Sequence, residues 1–78
     1  MKRSDISTKV VIEACRDFHA GCGIPPWRLI MMRTGAPEKV VYAAMDRDER
    51  MDYIESGVST RTGWATDKGL AYLLECKD

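Results

Sequence analysis

The chain has one histidine, three cysteines without a Cys-x-x-Cys pair, and no net charge, since twelve Lys and Arg balance twelve Asp and Glu. Each shortage excludes something. A lone histidine comes with no nucleophile–base pair at a suggestive spacing, no glycine-rich phosphate loop and no defined carboxylate pair. No enzyme is therefore expected. An odd number of cysteines without a tight pair argues against a disulfide framework and for free thiols in a reducing compartment. No run of about 18 apolar residues occurs, so no membrane-spanning helix is expected. Met1-Lys2-Arg3-Ser4-Asp5 opens like a signal peptide, but Lys9, Glu13 and Arg16 interrupt what would be its apolar stretch. The expectation is a soluble, cytoplasmic protein. The zero net charge also denies the chain the strongly basic balance of many nucleic-acid binders.

A metal site is the sharper use of the few cysteines. Cys15 and His19 lie one helical turn apart, and with Cys22 and Cys76 they would make a Cys3His zinc set. Against it, Cys15 falls on the apolar stripe of its helix, and structural zinc sites usually carry a tight cysteine pair. Buried or idle thiols are expected, with no metal and no cofactor, and His19 facing solvent near a helix end.

What is present is short and unevenly charged. Seventy-eight residues make one domain. A chain of this size buries about 60–65% of the surface its unfolded form exposes, so its core is small. Residues 1–39 hold seven basic against four acidic side chains, and residues 40–78 hold five against eight.

The periodicity reads α-α-α-β-β-α, an α+β arrangement that is mainly α. Residues 1–6 are expected as a flexible N-terminal arm carrying Lys2 and Arg3. Ser7 is a plausible N-cap for a helix from about Thr8 to Ala20, with Ile6 able to staple onto Val11. Val11, Ala14, Cys15 and Phe18 give that helix one apolar face, and Gly21 and Gly23 end it. Pro25-Pro26 opens a short second helix, to about Thr34, with Leu29, Ile30 and Met32 as apolar contacts and Gly35 as its stop. Pro37 starts a third, with Val41, Ala44 and Met45 inward and Val40 at the margin. That stripe then meets Asp48. Either the helix ends near Arg47, or Asp48 has a partner, because an unpaired buried carboxylate is costly. Met51, Tyr53 and Glu55 alternate with Asp52 and Ile54 as a short strand would. The glycine-bounded run from Gly57 to Gly63 reads as a hairpin loop, Trp64-Ala65 as the second strand, and Thr66-Asp67-Lys68-Gly69 as a cap and first turn. Leu70, Leu73 and Leu74, with Tyr72, complete an amphipathic helix to about Cys76.

On these residues the chain resembles the winged helix-turn-helix superfamily, and its front resembles LexA-type DNA-binding domains. The Gly23-Ile24-Pro25-Pro26 lead-in, the Thr34-Gly35 turn, Val41 to Met45, the Tyr53-Ile54 strand and the Trp64-to-Gly69 strand-to-helix join carry the resemblance, which covers roughly residues 8–75. Family members often have leucine where Asp48 stands and glycine where Asp52 stands.

The resemblance implies a single winged-helix domain over residues 1–78 that docks on double-stranded DNA, as bacterial or phage transcription regulators do. The third helix would enter the major groove with Glu38, Lys39, Tyr42, Ala43, Asp46 and Arg47 outward. Lys39 and Arg47 would reach guanine or phosphate, Glu38 a cytosine amino group, and Tyr42 a phosphate or a thymine methyl. Arg28 would meet the backbone near a helix N-terminus. Ser59, Thr60, Arg61 and Thr62 would form the wing, with Arg61 on a phosphate or in the minor groove. The third helix nevertheless carries Lys39, Arg47 and Arg50 against Glu38, Asp46, Asp48 and Glu49, and mixed charge of this kind usually marks a solvated face. Two other readings stand beside DNA binding. One is a winged-helix protein-interaction module, such as a phage-encoded inhibitor that binds a host protein through an acidic surface. The other is a component of a larger nucleoprotein complex. A homodimer through Phe18, Tyr72, Leu73 and Leu74 is a further expectation.

Overall fold

A computed structural model describes residues 2–21, 23–55 and 64–75. A 3-10 turn, Arg3–Asp5, precedes α1 (Thr8–His19), α2 (Pro26–Thr34), α3 (Glu38–Arg50), β1 (Ile54–Glu55), β2 (Trp64–Ala65) and α4 (Asp67–Glu75). The fold is mainly helical with one small sheet, in the expected element order. β1 and β2 pair antiparallel, with Ile54 opposite Ala65 and Glu55 opposite Trp64. The stretch expected as the wing tip lies outside the described residues.

Local chemistry explains most of the helix ends. The Ser7 hydroxyl accepts from the Val10 amide at 3.3 Å, which satisfies a donor that α1 itself cannot. Ala20 caps α1 at its C-terminus and Gly21 follows with φ +97°. Pro26 sits in the first turn of α2, where the missing N–H leaves nothing unmade. Gly35, at φ +73°, closes α2 in the left-handed conformation and bonds back to the Met31 carbonyl at 2.8 Å.

α3 ends differently. The Asp52 amide bonds to the Glu49 carbonyl at 3.0 Å and the Tyr53 amide to the Asp48 carbonyl at 3.0 Å. Those two bonds, with Asp52 at φ +64°, make a Schellman closure around an aspartate. The positive φ accounts for the glycine expected here from the family pattern. The closure also corrects the alternation expected from Met51 to Glu55. Met51 caps the helix, Asp52 and Tyr53 form the turn, and only Ile54 and Glu55 are strand.

The core joins all three first helices to the sheet. Val11, Ile12, Ala14 and Cys15 of α1 meet Leu29 and Ile30 of α2, Val41, Ala44 and Met45 of α3, and Ile54 of β1. Ile6 is fully buried with them. Where an arm was expected, residues 2–6 form one 3-10 turn that leads straight into a core side chain, that of Ile6. Among the methionines of α2, Met31 packs against the core and Met32 is exposed.

The last helix is set by one glycine. A Cβ at Gly69 would stand 2.1 Å from the Tyr53 carbonyl oxygen, so only glycine allows α4 to lie this close. The Thr66 hydroxyl accepts from the Gly69 amide at 3.1 Å, capping α4, and donates to the Asp52 carbonyl. The Lys68 ammonium donates to the Met51 carbonyl at 2.9 Å and lies 5.1 Å from the Tyr53 ring centroid. Tyr53 and Tyr72 pack with centroids 5.0 Å apart. The inward face of α4 is consequently Gly69, Tyr72 and Leu73, whereas Leu70 and Leu74 point to solvent, Leu74 at 89% exposure. This corrects the expected stripe of three leucines. Of the residues expected at a dimer surface, Phe18, Tyr72 and Leu73 are half-buried and Leu74 is open.

Candidate nucleic-acid interface

Three residues, Gly35-Ala36-Pro37, separate α2 from α3. The Thr34 hydroxyl donates to the Ile30 carbonyl at 2.7 Å and accepts from the Ala36 amide at 3.2 Å, so one side chain serves both the helix end and the turn. Ala36 is buried, which pins the turn against the core.

At about 100° per residue, burial of Val41, Ala44, Met45 and Asp48 places Lys39, Ala43, Asp46 and Arg50 along the opposite side of α3. Lys39 and Arg50 are exposed, Ala43 and Asp46 half-buried. The Arg50 Nε lies 3.2 Å from an Asp46 oxygen, an i,i+4 pair on the helix surface. Glu38 is exposed beside this row. Arg28 is exposed on the first turn of α2. These residues are the open part of the expected face.

Two expected contacts are half-buried and engaged within the fold. Tyr42 is half-buried, packs against Trp27 of α2 with centroids 6.2 Å apart, and has its hydroxyl oxygen enclosed. It fastens α3 to α2 and does not present its hydroxyl to a phosphate. Arg47 turns to the other flank. Its Nε donates to Asp48 Oδ1 at 3.1 Å and its Nη2 to Asp48 Oδ2 at 2.9 Å, a bidentate pair. The same Nη2 donates to the Ile6 carbonyl at 2.9 Å. The Thr8 hydroxyl donates to Asp48 Oδ1 at 3.0 Å. Asp48, at 1% exposure, is thus the partnered carboxylate that its place on the stripe required. Helix α3 runs past it without a break.

Cys15 lies in the same interior, where burial, reinforced by the negative charge of Asp48, pushes its thiol up to about 12. Such a thiol resists the ionisation that zinc binding demands. His19, its proposed co-ligand, is exposed. Cys22 and Cys76 lie outside the described residues, as do Ser59, Thr60, Arg61 and Thr62 of the expected wing.

The inventory of the face changes accordingly. Arg28, Glu38, Lys39 and Arg50 are exposed, whereas Tyr42 and Arg47 are half-buried and engaged within the fold. The signal for Arg50 was present, because Lys39 and Arg50 are eleven residues, three helical turns, apart. Comparison with family models, curated proteins and solved structures yields no match to this chain.

Proposed function

We propose that this chain is a small winged-helix protein that binds duplex DNA, of the bacterial or phage transcription-regulator type, with α3 in the major groove and the hairpin from 56 to 63 as its wing. One observation carries the reading. A three-residue glycine turn joins α2 to α3, whose row opposite the core has Lys39 and Arg50 exposed and Ala43 and Asp46 half-buried, and an antiparallel pair of strands follows in the chain. Helix-turn-helix units join their helices by such turns and read base edges with the second helix.

On that reading Lys39 donates to guanine or phosphate, Glu38 accepts from cytosine, and Ala43 packs on a thymine methyl. Arg50 and Arg28 meet phosphates, and Arg28 does so where the α2 dipole also favours an anion. With few cations on the face, monomer binding is weak and salt-sensitive. Fluorescence anisotropy with random duplex at two salt concentrations tests this directly. Binding that collapses with salt supports it, and no binding at low salt sinks it. Lys39→Ala and Arg61→Ala should each lower affinity without lowering the melting temperature. Full retention by both would mean that another surface is used.

The outward leucines of α4 favour a second reading, a protein-interaction module. Leu70 and Leu74 are one turn apart and exposed, and Trp64 is 40% exposed on β2. A partner that docks there would be lost in Leu74→Lys, measured by pull-down from lysate, while duplex binding persisted.

A further inference from the structure

We infer that the N-terminal turn is a built flank of the α3 face, carrying Lys2 to the phosphate strand opposite the one met by Arg28, and that Arg47 is the residue that positions it. The inference rests on the DNA-binding reading of α3.

An α-helix with its side chains is about 10–12 Å across and the major groove about 12 Å wide, so a docked helix has a phosphate strand along each flank. One flank of α3 is held by α2 through Tyr42 and Trp27, and Arg28 is the exposed cation of that helix's first turn. The other flank is the side on which Arg47 projects, and the 3-10 turn Arg3–Asp5 packs against α3 there. Ile6 anchors the turn through both its side chain and its backbone. The Ile6 side chain is fully buried, and the Ile6 carbonyl accepts from Arg47 at 2.9 Å. Asp48 fixes the guanidinium through both its oxygens, and Thr8 fixes Asp48 in turn.

The turn also closes on itself. The Lys2 amide donates to Asp5 Oδ2 at 2.8 Å and the Asp5 amide to the Lys2 carbonyl at 2.9 Å. The acidic side chain of the segment is thereby used on its own backbone, while the Lys2 side chain is exposed. Lys2 and Arg3 against Asp5 leave the segment cationic. Arg47, withdrawn from DNA by its own bonds, acts through the turn: it is a positioning residue.

The measurement is the slope of log affinity against log salt for random duplex, read beside the thermal melt. Each lost phosphate contact flattens the slope by about 0.9. The Lys2→Ala variant should flatten it by about 0.9 with an unchanged melting temperature. Two glycines inserted between Arg3 and Ser4 keep the Lys2 charge but break its placement, and should flatten it comparably. Arg47→Met/Asp48→Leu, which keeps the interior filled while releasing the Ile6 carbonyl, should flatten it in part. An unchanged slope in the first variant overturns the inference. A wild-type slope with the glycine insertion would make the segment a tether, overturning the built flank, and a wild-type slope in the third removes Arg47 from the role. If the wild-type chain binds no duplex at low salt, the α3 reading itself falls, an outcome distinct from all three.

Discussion

At the scale of single residues, backbone conformation and burial decide more than side-chain charge does. Asp52 occupies a left-handed position for which most L residues pay about 1 kcal/mol or more, and it places a negative charge just past the C-terminal end of α3, where the helix dipole disfavours it. Asp52→Gly is expected to stabilise the chain by about 1 kcal/mol, read as a raised midpoint in urea with an unchanged slope. Cys15 offers a test with the opposite sign. Its thiol is held protonated to about 12 in the folded chain against 9.0 when exposed, so the unfolded chain loses its proton first. Stability should be unaffected below pH 9 and then fall by about 1.4 kcal/mol per pH unit above it. Cys15→Ala should remove that part of the slope. In the native chain Cys15 should also resist iodoacetamide, followed by peptide mass, until denaturant opens the core.

Between elements, two of the polar joints are of unequal weight. Arg33 of α2 reaches Asp17 of α1 at 2.7 Å, and Arg16 lies 3.3 Å from the same carboxylate. The Arg33 bond is the main cause that holds the Asp17 carboxyl below its usual 3.8. That stabilisation is present above pH 3.8 and is lost as pH falls through the depressed folded value. The pair is partly exposed, so Arg33→Ala should cost under about 1 kcal/mol at pH 7. The difference from wild type should vanish in strong acid and shrink in high salt. A difference that persisted at pH 2 would show that packing, not charge, is lost. The Arg47–Asp48 pair is different because Asp48 has no access to water. Arg47→Ala strands a buried carboxylate and should cost about 3–5 kcal/mol, whereas Arg47→Met/Asp48→Leu should be near neutral or stabilising. Chemical denaturation of the three chains distinguishes the two outcomes.

For the molecule as a whole, the charges cancel but do not mix evenly, and the described α3 face pairs Lys39 and Arg50 with Glu38 and Asp46. Steering toward a polyanion would therefore be weak unless cations from other elements join the face. The exposed Lys2 of the N-terminal turn is one such cation. The small core sets the other limit. Domains of this size have only several kcal/mol of stability, so Arg47→Ala alone is expected to approach the unfolding threshold at 37 °C. Circular dichroism at that temperature would show it.

The helix order, the caps at Ser7 and Thr66, the stop at Gly35 and the inward row of α3 were all legible in the chain by itself, because each depends on backbone angles or hydrogen bonds spanning a few residues. Asp48 was legible as a problem but not as a solution. Its partner Thr8 is 40 residues away, and the Ile6 carbonyl that shares Arg47 is 41 residues from that arginine. No local pattern encodes a pairing at such separation. The outward turn of Leu70 and Leu74 was hidden for a related reason: periodicity shows that α4 has two faces, but the contact of Gly69 with the Tyr53 backbone chooses which one is buried. Local chemistry determined where the elements begin and end, and only their packing decided that Arg47 reaches the Ile6 carbonyl and that Tyr42 packs on Trp27.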